Sequence, residues 1–248
     1  MSLTFSGKTA LLCGGNCDLA IGLAPLLIAR GIRPVLSFRQ PESKDRIAES
    51  LSEYSGLYDT CFLDFSESSS IENAFGSFDD GLDYLVDFVQ EDYEELVSSA
   101  DHDNVAHYFH TCITSRAAML KTASRMMIRK RSGRLVFVSS AAAARPNPGQ
   151  GFYAAGKLAS EALYKNLGLE LGRLGISTVC LRPGYIDAGR GRAYIEKNKK
   201  ELIRKIPLNR FLNVSEVAET LLFLLSDQAR AFNATELTMD GGFSAVKP

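Results

Sequence analysis

A serine, a tyrosine and a lysine in the second half of the chain have the types and the spacing of an acid–base site. Tyr153 and Lys157 are four residues apart at the start of a predicted helix, so their side chains share one helix face. Ser140 follows the apolar run Leu135–Val138, which predicts a strand. We expect this strand to place Ser140 beside the other two side chains.

Such a group suits the reduction of a carbonyl compound. A carbonyl that accepts hydride builds negative charge on its oxygen and needs a proton. A tyrosine, with a pKa of about 10, is a poor donor at neutral pH. The ammonium of Lys157, with the cationic oxidised cofactor in the reverse direction, would favour the phenolate and bring this pKa nearer to the working pH. Ser140 would hydrogen-bond the carbonyl oxygen. The competing interpretation is a buried tyrosine and a surface lysine on an ordinary helix.

The elements that must position these residues alternate along the chain. Apolar runs predict strands at Thr9–Cys13, Val35–Phe38, Thr60–Leu63, Tyr84–Val89, Arg134–Ser139, Thr178–Arg182 and Glu236–Met239. Helical patterns occupy Leu19–Arg30, Arg46–Tyr54, Ser70–Phe75, Asn104–Lys130, Tyr153–Leu174, Ala193–Lys205 and Ser215–Leu225. The alternation predicts an α/β fold with a doubly wound, Rossmann-like parallel sheet. No linker pattern divides the sequence, so we predict a single domain over residues 1–248.

The turn after the first strand is a candidate cofactor site. Its sequence is Cys13-Gly14-Gly15-Asn16-Cys17-Asp18-Leu19-Ala20. Glycines in such a turn let backbone N–H groups approach a pyrophosphate at the helix N-terminus, although Asp18 and Ala20 stand where later glycines are usual. We predict cofactor contacts from Gly14, Asn16, Asp18 and Leu19. A tight turn that binds nothing is the alternative.

Further strand ends lead to the same predicted site. The second strand is followed by Arg39 and has no acidic residue there, which favours the 2′-phosphate of NADP(H) over the ribose hydroxyl of NAD(H). Asp64, after the third strand, would accept a hydrogen bond from the adenine amino group, or would instead cap the next helix. Phe65 and Val89 complete the predicted contacts on this side.

These motifs resemble the short-chain dehydrogenase/reductase family, and within it the bacterial 3-oxoacyl-[acyl-carrier-protein] reductases. Besides Ser140, Tyr153 and Lys157, the resemblance rests on four segments: Arg182-Pro183-Gly184, Ser215-Glu216-Val217-Ala218, Phe223-Leu224-Leu225-Ser226-Asp227 and Met239-Asp240-Gly241-Gly242. It implies that Pro183, Gly184 and Ile186 pack by the nicotinamide. It also implies a homotetramer or dimer, formed through the long helices and the C-terminal segment.

Three departures from the family pattern accompany the resemblance. Asp87-Phe88-Val89-Gln90 replaces the family's Asn-Asn-Ala-Gly, Cys112 replaces a catalytic Asn, and Ala188 replaces a Thr. The resemblance implies NADPH-dependent reduction of a 3-oxoacyl thioester on an acyl carrier protein, in fatty-acid or polyketide assembly. Two alternatives stay open: an enzyme for a free ketone, alcohol or sugar, and a weakly active subunit that supports an active paralogue in a mixed oligomer. Enoyl reductases usually space their Tyr and Lys more widely, so this activity ranks lower.

Composition narrows the class of partner. A net charge of −1 gives no case for nucleic acid or a membrane surface. We expect no signal peptide and no bilayer-spanning segment. Five scattered cysteines indicate free thiols in a reducing cytoplasm. His107 and His110 have no clear third ligand nearby, so no metal site is predicted.

Charge is unevenly distributed along the chain. Residues 47–115 contain sixteen Asp and Glu but no Lys or Arg. A basic cluster follows, formed by Arg129, Lys130, Arg131 and Arg134 and joined by Arg173. Because carrier proteins are typically acidic, we hypothesise that this cluster receives a carrier beside the active-site mouth. A solvated helix end is the alternative.

Overall fold

The computed structural model describes residues 2–76, 78, 81–189 and 191–246. Its strands are β1 Thr9–Cys13, β2 Arg33–Phe38, β3 Asp59–Phe62, β4 Tyr84–Asp87, β5 Gly133–Val138, β6 Ile176–Pro183 and β7 Thr235–Met239. They form one parallel sheet in the order β3-β2-β1-β4-β5-β6-β7. All seven strands predicted from the apolar runs are present, and the doubly wound fold is confirmed.

The helices among the described residues are α1 Asp18–Ile28, α2 Pro41–Ser50, α3 Ser68–Phe75, α4 His102–Phe109, α5 Arg116–Lys130, α6 Gly151–Leu171, α7 Gly191–Lys205 and α8 Val214–Leu225. The prediction that the second helix starts at Arg46 is wrong. The helix starts at Pro41, because proline fits the first turn, where its missing N–H has no helical partner. Only Ile47 of this helix is buried, so its polar first turns gave no apolar signal. Among the described residues, no helix is both long enough and apolar enough to cross a bilayer.

The helix predicted over Asn104–Lys130 is divided in the structure. A π-helical stretch at His110–Ser115 separates α4 from α5. There the carbonyl oxygen of Cys112 accepts hydrogen bonds from the side chains of Arg116 and Ser160. These buried donors compete with the helical N–H groups for the carbonyl, which is consistent with a local widening of the helix. A helical pattern in the sequence carries no sign of this competition.

Helices cover both faces of the sheet. Leu12 of β1 belongs to the core formed with α1, α2 and α8, whereas its neighbour Leu11 belongs to the core formed with α3, α5 and α6. Both side chains are fully buried. A strand that is covered on both faces needs apolar residues at every position, which explains why the strands lack polar–apolar alternation.

The carboxyl ends of the parallel strands meet at one edge of the sheet. From β1 the chain passes to β2 and β3 on one side, and it then returns to β4 on the other side of β1. Connections that diverge in this way open a crevice at the strand ends, which is where α/β proteins bind ligands. Gly14, Arg39, Asp64, Ser140 and Gly184 all follow strands at this edge.

The basic cluster lies at the opposite edge, so the hypothesis that it borders the active-site mouth of the same chain is wrong. α5 ends at Lys130 before β5, whereas Ser140 follows the far end of β5. Six strand residues at about 3.3 Å each separate these ends by about 20 Å. Arg134 is buried and donates to the carbonyl oxygens of Leu224 and Ser226. Its contacts are therefore with the end of α8, not with a carrier.

Candidate active site

Ser140, Tyr153 and Lys157 line one cavity of about 290 Å³, which we call the catalytic cavity. Ser140 follows β5, and the other two residues lie in the first turns of α6. The Oγ of Ser140 accepts a 3.1 Å hydrogen bond from the N–H of Ala142. Ser140 and Tyr153 also line a neighbouring space of about 340 Å³, which we call the substrate cavity. The structure thus brings the three side chains together, at the junction of two cavities.

Lys157 lies between the strand end and the phenol of Tyr153. Its side chain is buried, and Nζ donates a 2.8 Å hydrogen bond to the carbonyl oxygen of Val138. The same nitrogen lies 4.8 Å from the ring centre of Phe137 and 5.7 Å from that of Tyr153. A cation at this distance favours the phenolate form of the tyrosine.

An ion pair with a buried carboxylate, Glu161, fixes the strand end that carries Ser140. The hydroxyl of Ser139 donates to Glu161 over 2.5 Å, and Arg182 donates to the same carboxylate over 2.8 and 2.5 Å. Glu161 is 1% exposed. The sequence analysis missed Glu161, although it lies four residues after Lys157 and shares its helix face. An acid at that spacing on a predicted buried face was the available signal.

A larger groove of about 920 Å³, the cofactor groove, adjoins the catalytic cavity. Gly14 lines it with a φ of +76°, and its N–H donates a 2.8 Å hydrogen bond to the Oγ of Ser37. A Cβ on Gly15 would lie 2.6 to 2.8 Å from atoms of Leu36 and Ser37, so the turn requires glycine there. The turn therefore has the close backbone packing that a dinucleotide site needs.

The predicted cofactor residues divide between the two spaces. The groove is lined by Gly14, Asn16, Asp18, Arg39, Asp64, Phe65 and Val89. The catalytic cavity is lined by Asp18, Leu19, Tyr153, Lys157, Pro183, Gly184 and Ile186. The two spaces share the lining residues Cys17, Asp18, Phe88, Gln90 and Gly189, so they are continuous. A bound dinucleotide would lie in this continuous space, and the predicted contacts put its adenosine half in the groove and its nicotinamide beside Tyr153.

Arg39 and Asp64 differ in how far they match their predicted roles. The Arg39 side chain is 54% exposed, and its Nη1 lies 3.7 Å from a carboxylate oxygen of Glu91. A 2′-phosphate in the groove would compete with Glu91 for this exposed guanidinium. The Oδ1 of Asp64 accepts hydrogen bonds from the N–H and Oγ of Ser66 over 2.8 and 2.7 Å. Asp64 therefore forms a local turn, and its contact with adenine stays a prediction.

Comparison with known proteins identifies the family to which this chain belongs. A family model described as Enoyl-(Acyl carrier protein) reductase matches residues 17–244. This chain belongs to the short-chain dehydrogenase/reductase family. The 3-oxoacyl-[acyl-carrier-protein] reductase FabG of Chlamydia pneumoniae is 28% identical over 98% of this chain and 100% of its own length. The FabG of Escherichia coli K12 is 26% identical over the same shares. The peroxisomal 2,4-dienoyl-CoA reductase SPS19 of Saccharomyces cerevisiae is 28% identical over 96% of this chain and 84% of its own.

Solved structures agree with the fold. A short chain dehydrogenase/reductase family protein superimposes with a TM-score of 0.87 at 24% identity, over 99% of this chain and 100% of that chain. A gluconate 5-dehydrogenase from Burkholderia cenocepacia, in complex with NADP and tartrate, gives a TM-score of 0.89 at 22% identity over 98% of both chains.

Asp87, the first residue of the segment that the resemblance aligns with Asn-Asn-Ala-Gly, forms a buried ion pair with Arg116 of α5. The Nε of Arg116 donates to Asp87 over 2.7 Å, and neither side chain is exposed. Arg116 also donates to the Oγ of Ser160 and the carbonyl oxygen of Val89, and Tyr164 donates to Asp87. Burial alone would lower the pKa of Arg116, but the carboxylate raises it, so the guanidinium stays charged. The pair connects the end of β4 to α5 and α6.

Cys112, which the resemblance aligns with a catalytic Asn of the family, lies in the π-helical stretch. It is 2% exposed, and its Sγ accepts a hydrogen bond from the Nε2 of Gln90 over 3.6 Å. The same nitrogen donates to the hydroxyl of Tyr108 over 2.7 Å. Burial raises the pKa of Tyr108, so its phenol stays protonated. An amide–phenol pair thus fills the space beside the π-helical stretch.

The sequence analysis missed Gln90 and Arg116, for different reasons. Arg116 lies within a predicted helix, and its burial depends on Asp87, 29 positions earlier. Gln90 lies beyond the end of β4, in a segment for which the family pattern suggested only a lost motif. Among the described residues, no group of three or more His, Cys, Asp or Glu could hold a metal ion.

Proposed function

We propose that this chain reduces a ketone to an alcohol with NADPH. The observation that supports this most is the cavity shared by Ser140, Tyr153 and Lys157, next to a groove with the glycine turn of a dinucleotide site. Bound NADPH would supply the hydride. Tyr153 donates its proton to the carbonyl oxygen, Ser140 hydrogen-bonds that oxygen, and Lys157 stabilises the phenolate that is left. The exposed guanidinium of Arg39 supports the choice of NADPH over NADH.

We infer that the substrate is a 3-oxoacyl thioester on an acyl carrier protein, in fatty-acid or polyketide assembly. Relatives named 3-oxoacyl-[acyl-carrier-protein] reductases that align over their full length support this substrate. The four-residue spacing of Tyr153 and Lys157 favours ketone reduction over the enoyl reduction named by the family model.

The test is oxidation of NADPH by the purified protein with an acetoacetyl thioester, followed by absorbance. Tyr153→Phe removes only a hydroxyl, so turnover should fall about 100-fold or more while NADPH binding survives. Tyr58→Phe, which makes the same change at a tyrosine that lines none of the three cavities, is the matched control and should stay active. Equal turnover by wild type and Tyr153→Phe would refute the mechanism. A crotonyl thioester and a free ketone, assayed in parallel, measure the enoyl-reductase and small-molecule alternatives.

A weakly active subunit of a mixed oligomer is the second candidate. It is favoured by the carboxylate of Asp18 in the turn at which a dinucleotide's phosphates are expected. Asp64, Glu91 and Asp92 line the same groove and add negative charge. This candidate predicts little or no turnover of any ketone by the wild type alone, and higher activity of an active paralogue in its presence.

We also propose that the chain assembles into a dimer or tetramer. Leu158 and Leu169 of α6 are 45% and 72% exposed, and Ile128 of α5 is 37% exposed. Exposed apolar side chains on these long helices are suited to burial between subunits. Light scattering across micromolar concentrations should give a mass above 27.1 kDa, and a monomer mass throughout would reject the assembly.

A further inference from the structure

The carboxylate of Asp18 connects two walls of the cofactor groove. It accepts a hydrogen bond from the guanidinium of Arg46 on α2. Its other oxygen accepts a 2.7 Å hydrogen bond from the backbone N–H of Gly189, in the segment after β6. Asp18 itself is the first residue of α1. We call this set of contacts the Asp18 clasp.

The clasp lies where the two halves of the cofactor site join. Asp18 and Gly189 line both the cofactor groove and the catalytic cavity, and Arg46 lines the groove. A dinucleotide with its adenosine in the groove and its nicotinamide beside Tyr153 must cross this junction. The part of a dinucleotide that lies between those halves is its diphosphate. The diphosphate and the Asp18 carboxylate would therefore occupy the same region.

We propose that in the free protein the Asp18 carboxylate occupies the site of the cofactor's diphosphate. When the cofactor binds, the Asp18 side chain moves aside, and Arg46 and the N–H of Gly189 donate to the diphosphate instead. A guanidinium binds carboxylate and phosphate through the same paired N–H groups, and a backbone N–H donates to either anion. The inference rests on the proposed function, because it takes the groove to be a dinucleotide site.

The charges of the groove explain why such an exchange is needed. In the described part of the chain, two arginines line the groove, and each already faces a carboxylate: Arg39 faces Glu91 and Arg46 faces Asp18. Of the described residues, the arginine nearest the expected diphosphate, Arg46, is therefore already paired with Asp18 when a diphosphate enters. The side chains of Arg46 and Asp18 are 50% and 31% exposed. An ion pair this open to water contributes little to stability, so an anion with two charges can displace it.

Asp18→Asn tests the proposal because it removes the charge and keeps the shape. We expect the dissociation constants of NADPH and NADH, measured by calorimetry, each to fall about tenfold, since the diphosphate no longer competes with a carboxylate. Arg46→Gln should raise both constants about tenfold. Adenosine 2′-monophosphate has no diphosphate, so it should bind Asp18→Asn and wild type equally.

Asp45→Asn is the matched control. It makes the same change of charge on α2, at an exposed residue that does not line the groove, and all three constants should stay as in the wild type. Unchanged or weaker binding of both dinucleotides by Asp18→Asn would overturn the proposal. A gain confined to NADPH would place Arg46 at the 2′-phosphate and overturn the diphosphate assignment. If neither wild type nor Asp18→Asn binds any dinucleotide, the proposed function itself fails.

Discussion

The buried pair of Asp87 and Arg116 gives a quantitative test of how this chain is held together beside its active site. Arg116→Met removes a guanidinium that donates to Asp87, Ser160 and the carbonyl oxygens of Val89 and Cys112. The Asp87 carboxylate, which is fully buried, then keeps hydrogen bonds from the hydroxyl of Tyr164 and the N–H of Val89 but loses its counter-ion.

Removing one partner of a buried ion pair costs about 3–5 kcal/mol, because an uncompensated charge remains. A chain of this size loses about 2–4 °C of Tm per kcal/mol, so Tm should fall by about 6–20 °C. Asp87→Asn should be similarly destabilising. The double variant Asp87→Asn/Arg116→Met has no charge left in the pair, so its loss should be at least about 2 kcal/mol smaller than the sum of the single losses.

Urea unfolding measures these free energies. The chain has no tryptophan, so tyrosine fluorescence and far-UV circular dichroism are the two signals, and coincident transitions show that a single free energy applies. Arg125→Met, at an exposed position of the same helix, is the matched control and should change stability by less than about 0.5 kcal/mol. A loss below about 1 kcal/mol for Arg116→Met, or additive losses in the double variant, would refute the reasoning.

Three more predictions concern single residues. Arg39→Ala should narrow the affinity difference between NADPH and NADH by about 1–3 kcal/mol in calorimetric titrations, and equal wild-type affinities would contradict it. Burial would raise the pKa of Asp83, but hydrogen bonds from Lys130 and two backbone N–H groups lower it below its usual value. The stability this gives is present above the unfolded-state pKa and is lost as pH falls through the folded-state pKa. Asp83→Asn should therefore flatten the acid limb of the unfolding free energy, and identical acid limbs would speak against the contact. Burial raises the pKa of Cys17 to about 11 and of Cys61 to about 12. At about pH 8 iodoacetamide should label neither thiol in the native protein. Rapid labelling before unfolding would contradict the raised pKa values.

The fold was predictable because its signals are local. Short apolar runs identify strands that are buried on both faces, and each strand lies within three residues of its predicted bounds. The spacing of Tyr153 and Lys157 is also a local signal, since one helix turn carries both. The start of α2 at Pro41 was missed because its first turns face water and carry no periodic apolar residues, so the sequence gives no apolar pattern there.

What could not be predicted depends on residues that are distant in sequence. Asp18 and Gly189 are 171 positions apart, and no pattern in a single sequence connects them. For the basic cluster, the prediction failed because residues that are close in sequence lie far apart in the structure. Arg134 and Ser140 are close in sequence, yet the strand between them crosses the whole sheet, so closeness along the chain became distance in space.

The place of β1 in the sheet has a consequence for synthesis on the ribosome. β1 is translated before both of its neighbours in the sheet, β2 and β4. The N–H of Thr9 donates to Asp83, 74 positions later, and that of Thr4 donates to Gln228, 224 positions later. At about 5–20 residues per second, these partners emerge about 4–15 s and 11–45 s after the first strand. Until β4 emerges, the nascent chain carries the apolar strand β1 with one edge unpaired, a form that is prone to aggregation or chaperone binding. The yield of this protein in a cell is therefore expected to depend on translation speed and chaperone supply as well as on the stability of the finished fold.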